Sequence, residues 1–361
     1  MFEQQKSPTP GGEPGRKPGV DTPSALKDVI VIGAGMAGVS AARVLTSRGL
    51  NITLVDKARG AGGRMSTRRH DEWRFDHGAQ YFTARNPEFK RLVDTWIEAR
   101  KVYSWTARIA VASRRGIKAA ADSTERFIPV PGMNALCSDA ARQLPDVRFG
   151  WKCVEATRDG DFWRLTSEDG HTLRTRALLL TLPPDQAAQL VGFKSIRRTA
   201  RFVNMRPCWT LMTVFDRPLL ADYDAAFVNS GPLSWICAQS ARPGRPEDHA
   251  WVLQAGPEWS QRHLESDPES VTKQLLAAVQ ELPGRLDARP VHTRAHRWRY
   301  ALAENPLHDG LITVDGHSLV LAGDWLCGSR VEGAWTSGAC AARYIADSLA
   351  PDSRRAAHPS A

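Results

Sequence analysis

Residues 28–38, Asp28-Val29-Ile30-Val31-Ile32-Gly33-Ala34-Gly35-Met36-Ala37-Gly38, decide the fold. The four β-branched residues after Asp28 form a short continuous apolar run, the pattern of a strand covered on both faces. The run enters a G-x-G-x-x-G triplet, and a helical pattern follows with Ala41, Ala42, Val44 and Leu45 on one face. Gly49 is a natural stop for that helix. Asn51-Ile52-Thr53-Leu54-Val55 then reads as a second strand, closed by Asp56. Within this β-α-β unit each glycine has a steric task. Gly33 permits the tight turn, Gly35 lets backbone approach a pyrophosphate, and Gly38 lets the helix pack close to the strand. The helix N-terminus at Met36 and Ala37 offers unpaired N–H groups and a positive dipole to phosphates. Asp56 is placed to accept from the ribose hydroxyls of an adenosine, a carboxylate that a ligand-free tight turn would leave unexplained.

Two further segments choose between FAD and a nicotinamide nucleotide. Directly after Asp56 comes Lys57-Ala58-Arg59-Gly60-Ala61-Gly62-Gly63-Arg64-Met65, a glycine-rich loop carrying arginine. It is either a solvated basic loop or a second clamp on a pyrophosphate, with Gly63 amides and the Arg64 guanidinium as donors. Lys57 and Arg59 taken alone would also suit the 2′-phosphate of NADP. Far downstream, Leu321-Ala322-Gly323-Asp324 is followed by Val331-Glu332-Gly333-Ala334. A strand ending in Gly323-Asp324 can accept from a ribityl hydroxyl, and the next helix N-terminus can stabilise negative charge at the edge of a reduced flavin ring. A nicotinamide cofactor has no ribityl chain, so FAD is the better fit.

Outward from these motifs, the chain has 361 residues, 42% apolar and 24% charged, the composition of a globular protein with one large or two ordinary domains. Residues 1–26 and 351–361 are polar, the first rich in Pro and Gly, and are expected to be disordered. No apolar run reaches the roughly 18 residues of a membrane span and no secretory h-region is visible, so a cytoplasmic, membrane-free protein is expected. Six scattered cysteines show no C-x-x-C pair, so no metal site is expected. The net charge of +9 is spread over Lys57–Arg69, Arg108–Lys118, Lys194–Arg206 and Arg294–Arg299, which favours a phosphate-bearing small molecule over nucleic acid. Turn dipeptides Asp159-Gly160 and Asp169-Gly170 between Val147 and Leu182 suggest an antiparallel meander. Residues 190–304, rich in Trp and Arg, mix strand and helix patterns. Ser318–Ala322 reads as a buried strand, and a small-residue helix runs from Val331 to Leu349.

Together the glycine fingerprint, the Gly62-Gly63-Arg64 loop and the Gly-Asp…Glu-Gly-Ala terminus resemble the FAD-dependent amine oxidase superfamily. Asp76-His77-Gly78-Ala79-Gln80-Tyr81-Phe82-Thr83 looks like its renalase branch, bacterial type, as do Arg297-Trp298-Arg299-Tyr300-Ala301, Pro257-Glu258-Trp259-Ser260 and Gly323-Asp324-Trp325. The similarity spans roughly residues 27–349. It implies cofactor contacts at Met65, Gly78, Ala79, Gln80, Val154, Val331, Glu332 and Ala334 besides the residues above. It also implies a substrate pocket drawing on Tyr81, Phe82, Thr83, His296, Trp298 and Arg330. Tyr81, Phe82 and Trp298 either sandwich a substrate ring or are core aromatics. His296 either contacts substrate or is structural, and His77 beside Asp76 is either a relay or a satisfied turn histidine.

The implied fold is α/β: a Rossmann-type FAD-binding domain (27–85, 131–189 and 305–350) with a discontinuous second substrate domain built on a mixed β-sheet (86–130 and 190–304). The implied reaction is oxidation of isomeric 2- or 6-dihydro-NAD(P) to NAD(P)+, with O2 reduced to H2O2. Hydride loss makes an aromatic pyridinium, so no general base, and hence no catalytic side chain, is required. Amine oxidation is the rival. Arg330 stands where other members of the superfamily place a tyrosine of the amine cage, and its charge would repel a protonated amine. The cysteine that attaches flavin in some amine oxidases has no counterpart near Trp298–Tyr300, so FAD is expected to be non-covalent. A non-catalytic flavin-binding module is a further alternative. The sequence leaves the oligomeric state open.

Overall fold

The computed structural model describes residues 25–121, 123–316 and 318–350. Apart from Ala25 and Leu26, the expected disordered leader lies outside those residues, as does the expected tail. The apolar run is the strand Lys27–Ile32, with Val29, Ile30 and Val31 fully buried. It lies parallel between Ile52–Asp56 and Thr172–Leu180. Leu319–Leu321 extends the parallel core beside Leu178–Leu180, and Val147–Phe149 extends it beside Leu54–Asp56.

The expected meander is shorter than its sequence suggests. Only Cys153–Asp159, Phe162–Ser167 and the first half of Thr172–Leu180 pair antiparallel. Val147–Phe149 sits at the opposite edge of the sheet, parallel to its neighbour. Gly150, at φ +72°, turns the chain, and the Trp151 amide donates to the Asp56 carbonyl before the meander begins.

Both faces of this first sheet are covered, as a parallel core requires. On one face the helices Met36–Ser47 and Val331–Leu349 pack so closely that a Cβ on Gly338 would overlap the Ala37 carbonyl. The helix Pro87–Glu98, which the sequence reading placed with the substrate segment, adds Phe89 and Val93 to the same core. On the other face lie Trp163, Leu165 and Trp325 with the helices Pro184–Val191 and Lys194–Val203. The second of these buries Ile196, Ala200 and Val203 and leaves Lys194, Arg198 and Arg201 exposed, a solvated face.

A second sheet runs in the order Pro290–Ala303, Met205–Phe215, Ala250–Ala255, Leu233–Ala238, Ala225–Val228, Ile109–Ser113, Gly116–Ala119. Its neighbours are antiparallel except Ala225–Val228 and Ile109–Ser113, which are parallel, so the sheet is mixed. The helix Pro268–Gln280 covers one face through Val271, Leu275 and Val279. The other face receives a two-stranded ribbon, Thr67–His70 with Trp73–Asp76, whose Phe75 packs on Met212, Val214 and Val252. Because the ribbon leaves the glycine-rich loop directly, the chain passes from the first sheet to the second at that point.

Candidate functional site

The nucleotide-binding geometry follows from the glycines. Gly33 has φ +110°, and a Cβ there would lie 2.5 Å from Thr181 Oγ1. A Cβ on Gly38 would overlap the Gly33 carbonyl oxygen, so both positions are closed by packing. Gly35 differs. Its φ is −76°, and the nearest atom to a Cβ there would be Gly63 Cα at 4.0 Å. From the other side, a Cβ on Gly63 would stand 3.3 Å from Gly35 Cα. The two loops thus face each other backbone to backbone, tied by Gly62 N donating to Ala34 O at 2.9 Å. No side chain caps the helix at Gly35, leaving the first-turn amides of Met36, Ala37 and Gly38 without intrahelical acceptors. Asp56 accepts from Ala34 N at 2.6 Å and Ala58 N at 2.7 Å, which fixes its carboxylate at the end of the second strand. Lys57 beside it is exposed. A cradle that one Cβ would narrow, lined by donors, fits a dinucleotide diphosphate.

Arg64 and Asp324 meet. Arg64 Nη2 lies 2.6 Å from Asp324 Oδ1, Nη1 donates to Oδ2 at 2.9 Å, and Nη1 also reaches the Ala301 carbonyl at 3.2 Å. The sequence reading gave these residues to pyrophosphate and ribityl groups; in the structure they pair with each other. Asp324 is held by its backbone as well, its carbonyl accepting from Cys327 N and Ser329 N. The Gly323 amide donates to Ser337 Oγ on the last helix. Gly35, Arg64 and Asp324 are therefore brought together, Gly35 through its approach to Gly63 and Asp324 through the ion pair.

The segment from Asp76 onward packs against the Arg64 backbone. Ala79 N donates to Arg64 O at 2.8 Å, and a Cβ on Gly78 would overlap that same carbonyl. Gly78 O accepts from Gln254 Nε2 at 2.7 Å, and Trp298 Nε1 donates to His77 O at 2.8 Å. His77, His296 and Trp298 form a ring cluster with centroids 4.5–5.1 Å apart. Burial pushes His77 down to about 3, helped by His296 and Arg68. Burial together with Arg68 and Arg294 pushes His296 down to about 4. Both imidazoles are neutral at physiological pH, and His77 Nδ1 is buried with no hydrogen-bond partner.

Successive side chains of an extended segment point to opposite sides, so Tyr81 and Phe82 separate. Tyr81 packs tilted on Trp105 and edge-on to Trp235, under Arg126, while Phe82, 3% exposed, packs on Phe89, Trp96 and Phe127. Of the two readings open for these aromatics, Phe82 takes the core one, and Tyr81 and Phe82 do not share a face with Trp298. Thr83 is half-buried in the following loop. Val154 is the bulged residue where the register shifts between Cys153 and Glu155, a few residues from the Trp151–Asp56 contact. Arg330 is exposed at the N-cap of the last helix, with Val331 and Ala334 in its first turn. Glu332 accepts from Arg85 N at 2.7 Å and from Asn86 N, bracing the loop before the helix Pro87–Glu98. It also lines a cavity of about 250 Å³ with Asn86, His308, Cys327, Gly333 and Thr336.

The sequence reading missed the group that fixes this segment. Asp76 is fully buried and bonds Arg245 Nη2 at 2.6 Å, Met133 N at 3.0 Å and Thr67 Oγ1. Arg242, also buried, lies 3.4 Å from Asp76 and donates to Gln80 O and Oε1 at 2.7 and 2.8 Å. Ser240-Ala241-Arg242-Pro243-Gly244-Arg245 signals an arginine-bearing loop in the sequence, but nothing local names its partner. Among the described residues no group of three or more His, Cys, Asp and Glu could hold a metal, and no helix is long and apolar enough to cross a membrane.

Comparisons with known proteins bear on the family and the fold. Residues 31–96 match the model of an NAD(P)-binding Rossmann-like domain, and residues 104–346 match that of flavin containing amine oxidoreductases. An L-amino acid oxidase of Bothrops pictus is 38% identical over 84 residues, 23% of this chain and 16% of its own length. The L-amino-acid oxidase of Bungarus fasciatus is 41% identical over 81 residues, 22% of this chain and 15% of its own. The matched stretch is thus a small part of those relatives. Two solved structures share the fold over nearly the whole chain. A proposed protoporphyrinogen oxidase from Exiguobacterium sp. 255-15 has a TM-score of 0.72 at 14% identity, covering 91% of this chain and 100% of its own. Cyclohexylamine oxidase from Brevibacterium oxydans IH-35A has a TM-score of 0.69 at 14% identity, covering 90% and 99%.

Proposed function

The chain belongs to the family of flavin containing amine oxidoreductases, and from that premise we propose a renalase-like oxidase that converts isomeric dihydronicotinamides, the 2- or 6-dihydro forms of NAD(P), to NAD(P)+. Its cofactor is FAD, held without a covalent bond, and FAD supplies a two-electron acceptor that O2 can reoxidise with release of H2O2. The amides of Met36–Gly38 and Gly63 would hold the diphosphate, and Asp56 the adenosine ribose. Arg64 and Asp324 would hold the middle of the cofactor, with Gly78–Gln80 and the first turn of the last helix flanking its ring. The domain division given above is part of this proposal, with the second sheet supplying the substrate side.

The observation that carries the reading is the uncharged ring cluster of His77, His296 and Trp298 set beside Arg68 and Arg294. A positive potential over neutral rings opposes a protonated amine and suits a neutral dihydropyridine carrying phosphates. Imidazoles held down to about 3 and about 4 are weak bases, which fits a hydride transfer that needs no proton removed. Asp76, the nearest carboxylate in sequence, is turned away toward Arg242 and Arg245. The exposed Arg330 adds further positive charge at the head of the last helix.

Amine or amino-acid oxidation is the second reading, supported by the activities named for the relatives. Anaerobic stopped-flow mixing separates the two. Isomeric dihydronicotinamides should bleach the flavin in one fast turnover while amines and amino acids leave it oxidised. Bleaching by amines alone would make the second reading the right one, and no bleaching by either class would leave a non-catalytic flavin module. Acid precipitation should release the yellow colour to the supernatant.

A further inference from the structure

Where the strand Pro290–Ala303 meets the ribbon, each contributes one arginine, Arg294 and Arg68, without a counter-charge. Two ring contacts frame the pair. At one end His70 stacks on His292 with centroids 4.2 Å apart; at the other, His77 meets His296 edge-on at 4.9 Å. Arg68 precedes His70 by two residues on its strand, and Arg294 lies between His292 and His296, so the strand period of two puts both guanidiniums in the interval between the ring contacts. Their proximity registers electrostatically, since Arg294 and then Arg59 of the glycine-rich loop lower Arg68 beyond the effect of burial.

The opposite face of the same strand shows what a neutralised arginine looks like. Arg297 and Arg299 point there and share Glu265, at 2.8 and 2.7 Å. Among the described residues no carboxylate pairs with Arg68 or Arg294. Arg294 is exposed and Arg68 half-buried, so both are reachable from solvent, and an anionic ligand would meet two positive charges there with no carboxylate to displace. At the His296 end of the interval, His77 is 3% exposed with its Nδ1 unpartnered.

We propose that Arg68 and Arg294 form an anion subsite for the diphosphate of a dinucleotide substrate, beside the ring cluster where its dihydropyridine would lie. The subsite rests on the dihydronicotinamide reading given above and sharpens it, because it selects dinucleotides over phosphate-free rings. It is separate from the cofactor's diphosphate cradle, which has its own donors at Met36–Gly38 and Gly63.

Calorimetric titration of the FAD-loaded protein with ADP-ribose, which carries the diphosphate without nicotinamide, tests it apart from turnover. Wild type should bind with an affinity that falls as salt rises. Arg294→Ala and Arg68→Ala should each weaken binding about five- to tenfold, and Arg294→Lys should restore most of it. The FAD content, read from the ratio of flavin to protein absorbance, should stay at the wild-type level. Absence of ADP-ribose binding in wild type, equal binding in the variants, or loss of FAD from either variant would overturn the subsite. Flavin reduction is read separately with dihydronicotinamide riboside and with the dinucleotide. Variants that lose ADP-ribose while neither compound reduces the flavin would uphold the subsite and sink the substrate reading. Reduction by both compounds at unchanged half-saturation in wild type and variants would do the reverse.

Discussion

Arg64 and Asp324, far apart in the chain, form a two-pronged ion pair with oxygen–nitrogen distances of 2.6 and 2.9 Å. It joins the glycine-rich loop to the strand end before the last helix, and the third contact, to Ala301 O, adds the long strand of the second sheet. One guanidinium thus ties the three segments together. The Asp324 side chain is 8% exposed and that of Arg64 31%, and each is the other's counter-ion. Asp324→Asn should destabilise the apoprotein by about 2–3 kcal/mol, below the cost of breaking a fully buried pair because Arg64 keeps some water. Urea unfolding of the apoprotein, paired with the fluorescence of FAD released on dilution, measures both losses. An unchanged unfolding midpoint with wild-type FAD retention would refute the brace.

Gly35 and Gly38 should respond oppositely to alanine. Gly35 has ordinary φ and open space, so Gly35→Ala should change apoprotein stability by less than about 1 kcal/mol while reducing bound FAD at least about tenfold. A methyl on Gly38 meets the Gly33 carbonyl, so Gly38→Ala should cost several kcal/mol and lower soluble yield. Flavin content against unfolding midpoint for the two variants separates cradle from packing.

These contrasts show what the sequence carried. The β-α-β unit was readable because its strand, turn, helix and carboxylate are contiguous and each is dictated by local sterics. Phe82 was not, because its segment is extended and irregular, and only the tertiary fold decides which cluster each of two adjacent aromatics joins. The pairing of Asp76 with Arg242 and Arg245 is likewise invisible to spacing, since its members come from a ribbon and a distant loop. Val147–Phe149 has the same apolar texture as a meander strand, and only its parallel partner, Leu54–Asp56, sets it on the far edge.

Stability should fall in mild acid because of His77 and His296. Their native pKa values, about 3 and about 4, lie below the ordinary 6.5, so between those limits the unfolded chain binds more protons than the native one. The favourable contribution of keeping them neutral is complete above pH 6.5 and is lost as the pH drops. Each histidine contributes a slope of at most about 1.4 kcal/mol per pH unit, less for the more solvent-screened His296. Unfolding midpoints from pH 7 to 4.5 should decline more shallowly in His77→Gln than in wild type. Parallel declines would show that His77 does not titrate this way.

Asp76→Asn should be the most damaging single substitution of this set. One carboxylate faces Arg242 and Arg245, whose side chains are 0% and 2% exposed, and burial already lowers the Arg245 pKa despite that partner. With the carboxylate gone, two guanidiniums remain out of water facing each other, and the loss should be about 3–5 kcal/mol. Arg242 also carries Gln80, whose side-chain amide donates to Asp76 O and Gly78 O. The damage should therefore reach the segment under the ring cluster. Hydrogen exchange should show amides 77–80 losing protection earlier than those of Val29–Ile32. Uniform loss across both segments would mean that Asp76 supports the whole fold and not this segment in particular.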